Sequence, residues 1–298
     1  MSTVNARALD IRPITTTIGA EITGVDISQP LAPEVILEIR EAWLKHQVVF
    51  FPRQSIGPDD QIRFASYFGE ITMPSAVLPP IDDEHTEIVA FDSNNGKQDY
   101  GHLGKFASWH VDTTFQQNPP AGAVFKVVKL PSVGGATLFA SAQAAYDSLS
   151  EVMKGWLDPL VAVHQFRFDA SLAPQGGGPI GSMEWEGERV TNGEREHPVV
   201  AVHPDTGRKG LFVNPGFTTY IKGLQADESR VLLDFLYEHT LRPENVLRYH
   251  WSEGSVGFWD NRSVWHRGAN DFDKSEHRLV HKVQLRGAAP VGPTAKNV

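Results

Sequence analysis

Short apolar or alternating runs, separated by turns rich in glycine and proline, dominate the chain, and helical spacing of apolar residues occurs in only a few places. Apolar residues three and four apart predict helices that begin at Pro33 and Pro58, cover 142–157, and run from about Asp227 to His239. The helix from Pro58 is expected to end at Gly69, because glycine suits the residue after a helix. The short runs predict strands at 11–27 (one or two strands), 47–51, 87–91, 121–130, 136–140, 159–168, 198–203, 210–214, 246–251, 255–259, 263–266 and 278–286.

Many short strands with few helices favour a mainly β protein, with a β-sandwich or jelly-roll core wrapped by flanking helices. Nothing in the sequence marks a boundary between domains, so we expect residues 1–298 to form a single domain. The stretch 72–108 predicts long loops around one strand. The stretch 169–195, with three consecutive glycines, predicts a mobile flap, because long loops in a compact domain are usually functional or disordered.

Composition and charge exclude several classes of function. Hydrophobic residues make up 41% of the 298 residues and charged residues 21%, which is typical of a globular protein. Cysteine is absent, which excludes disulfide scaffolds, thiol nucleophiles and cysteine-ligated metals. The net charge of −9, without a basic block, gives no electrostatic basis for binding nucleic acid. No apolar run is long enough for a membrane helix or a signal peptide, so we expect a cytoplasmic protein with no membrane partner.

The segment with the clearest chemistry is WHVDTTF, residues 109–115. On a strand, side chains two residues apart point to the same face, so His110 and Asp112 would lie side by side. An imidazole and a carboxylate are two ligands of the 2-His-1-carboxylate triad, which holds Fe(II) and leaves coordination positions open. An isolated pair of this kind is more often a core histidine beside a solvated aspartate. A distant third ligand is therefore needed, and His266, at the end of a predicted strand, is the candidate.

The predicted strand 278–286 carries a further candidate, Arg278, which shares one strand face with Lys282. An arginine aimed into a β-barrel is costly unless it pairs with an anion. A bidentate contact with a co-substrate carboxylate would meet that need. Taken singly, His266 is also compatible with a hydrogen-bonded core histidine, and Arg278 with a surface salt bridge.

Together these segments resemble the taurine dioxygenase / dichlorophenoxyacetate dioxygenase (TauD/TfdA) family of Fe(II)- and 2-oxoglutarate-dependent oxygenases. The matching segments follow the family's order over nearly the whole chain: IGAEITGVD, QVVFFPRQ, WHVDTTF, NPPAGAV, LPSVGGATLFAS, HPVVAVHPDTGRKGLFVNPGFTT, WDNRSVWHRGANDF and HRLVHKV. The resemblance implies a double-stranded β-helix and a homo-oligomer, either a dimer or a tetramer. It also implies that 2-oxoglutarate and O₂ are consumed as a small organic substrate is hydroxylated.

The resemblance assigns roles to five residues of this sequence. His110, Asp112 and His266 would bind Fe(II). Arg278 would hold the distal carboxylate of 2-oxoglutarate, and the hydroxyl of Thr137 would help. Related halogenases lack the carboxylate ligand so that chloride can bind the iron, and Asp112 therefore implies hydroxylation rather than halogenation.

Departures from the family pattern bear on the substrate. Lys282 stands where the taurine enzyme has a sulfonate-binding arginine, and lysine keeps the charge but loses the bidentate fork. The stretch 68–75 also lacks the family's sulfonate-binding histidine. Phe166 and Phe217 align with aromatic residues of the substrate pocket, with ordinary core packing as the alternative. We therefore expect a larger, partly apolar substrate with one acidic group (a sulfate ester, sulfonate or carboxylate) rather than taurine, with collapse to a carbonyl product where the hydroxylated carbon bears a heteroatom.

Two expectations concern the surroundings of the pocket. Met73, Val77 and Leu78 suggest an apolar lining, and the loop 94–108, longer than in the taurine enzyme, should lie over the metal. Lys282 has an alternative role, in which its stem runs to the surface and its ammonium pairs with an acidic residue.

Two other classes of function stay open at this point. A non-catalytic metal-binding β-barrel protein would give Arg278 no role. A zinc-type hydrolase would need a general base near the metal and no anchor for 2-oxoglutarate.

Overall fold

The computed structural model of the protein describes residues 9–73, 80–95, 109–166, 182–185, 188–191 and 194–293. Its helices are α1 (Pro33–His46), α2 (Pro58–Ser66), α3 (Ala142–Asp147), α4 (Glu151–Leu157) and α5 (Ala226–Thr240). Its strands are β1 (Asp10–Pro13), β2 (Ala20–Thr23), β3 (Val48–Phe51), β4 (Ile71–Thr72), β5 (Val89–Asp92), β6 (Gly122–Lys129), β7 (Thr137–Ser141), β8 (Val161–His164), β9 (Ser182–Trp185), β10 (Glu188–Thr191), β11 (Arg195–Pro198), β12 (Val200–Val202), β13 (Lys209–Leu211), β14 (Thr218–Ile221), β15 (Val246–Tyr249), β16 (Val256–Asp260), β17 (Val264–Gly268) and β18 (Leu279–Leu285). The chain is therefore mainly β with flanking helices, as predicted.

The largest sheet has eight strands in the order β1-β2-β3-β16-β6-β18-β4, and β5 also pairs with β18. Its pairs are antiparallel except for β2 and β3, which run parallel. The central strands β3 and β16 are buried along their whole length. Strands covered on both faces read as continuous apolar runs rather than as alternating ones. This sheet therefore forms the middle layer of the molecule.

Helices α1 and α2 cover one face of the large sheet. Proline begins each helix, where its fixed φ suits the first turn and its missing N–H is not needed. Trp43 of α1 stacks on Phe258 of β16, with ring centroids 4.1 Å apart. Buried Gln61 of α2 donates its amide to the carbonyls of Val124 and His281, which ties α2 to β6 and β18.

A second sheet, in the order β15-β7-β17, lies on the other face. The core between the two sheets is largely aromatic, with Phe50 and Trp259 from the large sheet and Phe139 and Tyr249 from the small one. Phe50 stacks on Tyr249 and meets Phe139 edge-on. Behind the small sheet, α3, α4 and α5 pack with β8, β12 and β13 around a further apolar cluster. Of the helices in the described ranges, none is long and apolar enough to cross a membrane.

Several predicted elements differ from the structure in extent. The predicted helix 142–157 is two helices, because Ser150 caps α4 by accepting a hydrogen bond from the backbone N–H of Met153. Helix α2 ends at Ser66, before Gly69, and the residue after it is right-handed Tyr67 (φ −66°) rather than a left-handed glycine. The strand predicted at 159–168 ends at His164.

The two predicted long loops fall mostly outside the described residues. Of the loop 94–108, only Asn94 and Asn95 are described, as the end of a short 3₁₀ helix. Within the predicted flap 169–195, β9 and β10 pair as an antiparallel hairpin. Its mobility stays a prediction.

Candidate active site

The two histidines of the predicted triad, His110 and His266, are joined by hydrogen bonds between their backbones. The N–H of His110 donates to the carbonyl of His266 (3.1 Å), and the N–H of His266 donates back (2.8 Å). His266 lies on β17, at the inner face of the small sheet, so this bridge fixes His110 beside it. Close packing at Gly216 helps, because a Cβ there would lie 2.8 Å from the Cβ of His110.

Asp112 lies in a turn, which corrects the assumption that His110 and Asp112 share a strand. His110 forms only an isolated bridge, and residues 112–115 are a turn with Thr113 in the left-handed region (φ 43°). The side chains of His110 and Asp112 still meet, because the turn folds Asp112 back toward β17. The predicted proximity is therefore confirmed, and the reason given for it was wrong.

The geometry of these three residues fits a metal ion. Oδ1 of Asp112 lies 3.8 Å from Nε2 of His110 and 3.6 Å from Nε2 of His266, and one ligand atom from each residue lies within 4.8 Å of the others. Such distances are too long for hydrogen bonds but suit donors that share one ion. Two imidazoles and a carboxylate are the donor set of non-haem Fe(II).

The environment of Asp112 keeps it ionised. Burial alone would raise its pKa, but the ammonium of Lys282 and the imidazole of His266 hold the pKa of Asp112 well below its usual range. Its second oxygen, Oδ2, accepts a hydrogen bond from the amide of Asn261 (3.3 Å). The indole N–H of Trp259 donates to the amide oxygen of Asn261 (2.9 Å), which fixes the orientation of that amide. Asn261 therefore occupies Oδ2 and leaves Oδ1 facing the two histidines.

Lys282 lies at the centre of the site and not at the surface. Its side chain is only 9% exposed, and its Nζ donates to Oδ1 of Asp112 at 2.9 Å. The ammonium also lies 5.1 Å from the ring centroid of Phe91. The alternative in which Lys282 reaches the surface is therefore wrong, although the prediction that it pairs with an acidic residue is correct.

Arg278 and Thr137 lie on neighbouring elements at one end of the site. Burial lowers the pKa of Arg278 to about 10, against a smaller opposing effect of Asp271, so the guanidinium stays charged at neutral pH. Its Nε donates to the carbonyl of Gly135 (3.4 Å), and its guanidinium lies 6.0 Å from the ring centroid of Phe125. Within the described ranges, no carboxylate lies within ion-pair distance of Arg278. A half-buried cation of this kind is suited to a carboxylate ligand.

The His110 ring borders a cluster of aromatic side chains. Phe217 meets His110 edge-on (6.3 Å between centroids), and Phe166 lies 6.5 Å from Phe217. Buried Phe115 contacts both phenylalanines, at 5.1 and 5.0 Å. Phe217 therefore lies against His110 and Phe166 lies one ring further away, in one apolar cluster, and their role in a substrate pocket stays a prediction.

Several supporting residues were missed by the sequence analysis. The hydroxyl of Thr114 is held by His164 (2.9 Å) and by the amide of Asn214 (3.0 Å), which anchors the turn that carries Asp112. Phe115 and Asn261 were also missed as site residues, although both stand inside the quoted motifs. Their partners are far away in the sequence, and no local pattern indicates them.

Of the three predicted apolar lining residues, only Met73 lies in the described part of the chain. Met73 is 44% exposed. Val77 and Leu78, and most of the predicted loop 94–108, lie outside the described residues.

A two-histidine, one-carboxylate centre near a half-buried arginine with no acidic partner in the described ranges defines the class of non-haem iron oxygenases that use a 2-oxo acid. Residues 10–284 match the family described as "Taurine catabolism dioxygenase TauD, TfdA family". An alkylsulfatase of Acinetobacter baylyi is 36% identical over 95% of this chain and 87% of its own length. An alpha-ketoglutarate-dependent sulfate ester dioxygenase of Pseudomonas putida is 35% identical over 97% of this chain and 93% of its own.

Among solved structures, a taurine dioxygenase from Burkholderia xenovorans has a TM-score of 0.82 at 33% identity, covering 97% of this chain and 95% of that one. The protein therefore belongs to the TauD/TfdA family, and it is a dioxygenase that uses Fe(II), 2-oxoglutarate and O₂. This membership leaves the metal-storage and zinc-hydrolase alternatives without support.

Proposed function

We propose that the protein hydroxylates a small, partly apolar organic substrate that carries one anionic group, with His110, Asp112 and His266 as the iron ligands. Two cations at one site, buried Lys282 and half-buried Arg278, carry the proposal. Arg278 lacks an acidic partner among the described residues and suits the distal carboxylate of 2-oxoglutarate. Lys282 lies beside the ligand oxygen of Asp112 and supplies a second positive charge for the substrate anion.

Some residues of the site would bind the metal and the co-substrate, and others would exclude water. When bound, iron with 2-oxoglutarate and O₂ supplies the oxidation, which ends in succinate, CO₂ and a hydroxylated substrate. Arg278 and Thr137 hold the co-substrate carboxylate, and Asn261 keeps Asp112 oriented toward the metal. Phe115, Phe166 and Phe217 exclude water from the region beside His110. They also give the substrate an apolar surface to pack on.

A sulfate ester fits this arrangement well, and both relatives described above are named for sulfate chemistry. Hydroxylation of the carbon that bears the ester oxygen gives an unstable hemiacetal-like product. Its collapse breaks the C–O bond and releases an aldehyde and sulfate. An ammonium binds sulfate, sulfonate or carboxylate as a point charge, with less demand on geometry than an arginine fork.

The test is a substrate screen that measures succinate, with alkyl sulfates, alkyl sulfonates, phenoxy acids and taurine. We expect the best rates for a partly apolar anion, and poor turnover of taurine. Lys282→Ala should raise the KM of that anion about tenfold or more, as expected for loss of a buried ionic contact, and should leave the KM of a neutral analogue unchanged. Lys222→Ala is the matched control, because Lys222 is an exposed lysine paired with Glu196.

Two results would contradict this assignment. Efficient taurine turnover, comparable to the best substrate, would remove the case for a larger substrate. If Lys282→Ala reduced substrate-free turnover of 2-oxoglutarate as strongly as substrate oxidation, Lys282 would act on the iron ligand Asp112 and not on the substrate.

We also propose that the two facing sheets form a double-stranded β-helix and that residues 1–298 are one domain. We further propose that the protein is a cytoplasmic homo-oligomer, either a dimer or a tetramer. The strand orders of the two facing sheets support the double-stranded β-helix. Exposed Val152 and Trp156, one turn apart on α4, offer an apolar surface that supports the homo-oligomer. Light scattering on the purified protein tests it, and a monomer at micromolar concentration would contradict it.

A further inference from the structure

Thr137 has a hydrogen-bond donor behind it, and this donor is the indole of Trp251. The Nε1–H of Trp251 donates to Oγ1 of Thr137 at 2.9 Å. An indole N–H can only donate, so the hydroxyl acts as an acceptor in this bond and keeps its own proton for another partner. In the described part of the chain, no acceptor for that proton is found. A carboxylate, which accepts only, is the group this hydroxyl is prepared to meet.

Packing holds the Trp251 ring in one place. It meets Tyr249 edge-on at 4.8 Å and Phe50 edge-on at 5.5 Å, between centroids. Gly257 on β16 is required by this arrangement, because a Cβ there would lie 2.6 Å from the indole ring. The indole N–H therefore has a fixed direction before any ligand arrives.

The same ring also supports the arginine end of the site. Trp251 packs on Phe125 with 5.4 Å between centroids, and Phe125 lies beneath the guanidinium of Arg278. One aromatic pair thus lies under both groups that are proposed to hold the co-substrate. Neither Trp251 nor Phe125 belongs to the triad.

We propose that Trp251 is a positioning residue for 2-oxoglutarate: it orients the hydroxyl of Thr137 so that its proton points at the distal carboxylate. This inference rests on the proposed role of Thr137 and Arg278 as co-substrate anchors. A prepared donor does not have to be reoriented when the ligand binds, so the contribution of Trp251 appears in co-substrate affinity and not in the oxidation step.

The test is calorimetric binding of N-oxalylglycine, an unreactive analogue of 2-oxoglutarate, to the Mn(II)-loaded protein. Trp251→Phe keeps a ring in place and removes the N–H, and we expect it to weaken binding about 5- to 10-fold, the size of one hydrogen bond between neutral groups. Thr137→Val should weaken binding to a similar extent. The double variant should bind no more weakly than Thr137→Val alone, because Trp251 acts through Thr137.

The matched control is Trp156→Phe, which changes an indole that is 67% exposed on α4 and should leave binding unchanged. Unchanged binding in Trp251→Phe would overturn the inference, and so would fully additive losses in the double variant, which would indicate a packing effect. The proposed anchors fail separately, if Thr137→Val and Arg278→Ala both bind N-oxalylglycine as the wild type does.

A second measurement leaves Trp251 unchanged and so does not depend on the folding of Trp251→Phe. In the Zn(II)-loaded protein, one indole ¹⁵N–¹H resonance should shift in Thr137→Val and should shift in the wild type when N-oxalylglycine is added. If no indole resonance responds to both changes, the inference is wrong.

Discussion

Asp112 divides its two oxygens between different tasks, and this division organises the site at the scale of single residues. Oδ2 is held by the amide of Asn261, while Oδ1 faces the two histidines and the ammonium of Lys282. The carboxylate is therefore presented through one oxygen, as a ligand that leaves coordination positions open for other groups requires.

A prediction at this scale concerns Arg278. Removing one partner of a desolvated charge pair typically costs about 2–5 kcal/mol, so Arg278→Ala should raise the KM for 2-oxoglutarate about 30-fold or more. The exposed Arg12, which pairs with Asp10, gives the control variant Arg12→Ala, with no expected change. Initial rates of succinate formation at increasing 2-oxoglutarate measure the effect. An unchanged KM would mean that Arg278 does not hold the co-substrate.

The residues of the site could be predicted to different degrees. His110 and Asp112 stand two apart in one motif, and a family pattern supplies His266, so the triad was accessible from the sequence. The contact between Lys282 and Asp112 joins positions 170 residues apart. No periodicity reports such a contact, and only the fold brings the two side chains together.

At the scale of elements, the turn between β6 and β7 positions the co-substrate end of the site. Gly134 (φ +86°) passes so close to the loop after β17 that a Cβ would lie 2.4 Å from the carbonyl oxygen of Asp271. The N–H of Gly135 donates to the Asp271 carboxylate (3.0 Å), and the Gly135 carbonyl receives Arg278. The position of this turn therefore sets the position of Arg278.

We predict that Gly134→Ala moves this turn and weakens 2-oxoglutarate binding, since both the left-handed backbone and the close approach disfavour a side chain. The expected result is a KM raised severalfold and a lower melting temperature. Gly155 of α4 has open space around it, so Gly155→Ala should leave the KM unchanged and stabilise the protein by up to about 1 kcal/mol. Kinetics and thermal unfolding of the two variants decide the matter, and equal behaviour would refute the proposed role of the turn.

The extents of the elements show where sequence patterns fail. Helices α1 and α5 were predicted closely, because their apolar faces repeat at helical spacing and Pro33 marks the start of α1. The division of 142–157 depends on a single cap at Ser150, and the turn at Asp112 depends on buried bonds from His164 and Asn214. Hydrogen bonds of these kinds override the local pattern.

At the scale of the whole molecule, buried histidines make stability depend on pH. His164 and His197 lie 5.2 Å apart between ring centroids, near the turn that carries Asp112. Burial lowers the pKa of both, and for His164 the lowering is large, with His197 adding to it. The unfolded chain therefore binds protons at these positions at a higher pH than the folded chain does.

It follows that the free energy of unfolding should fall as the pH drops below about 6.5, the usual histidine pKa, by up to about 1.4 kcal/mol per pH unit for each such histidine. Urea unfolding of the metal-free protein at pH 7.5 and 5.5 measures this change. His164→Gln should reduce the difference between the two midpoints. A midpoint that stays constant or rises on acidification would contradict the assignment of these histidines as buried and neutral.

The central claim is that His110, Asp112 and His266 bind iron, and that Arg278 binds the distal carboxylate of the 2-oxoglutarate that chelates this iron. Its most direct test is an anaerobic titration of the Fe(II)-loaded protein with 2-oxoglutarate, followed by visible absorption, because chelation of iron by the 2-oxo acid produces a charge-transfer band. We predict a saturable band in the wild type, no band in Asp112→Ala, and a band that needs at least tenfold more 2-oxoglutarate in Arg278→Ala. Absence of the band in the wild type, or an unchanged band in Asp112→Ala, would contradict the claim.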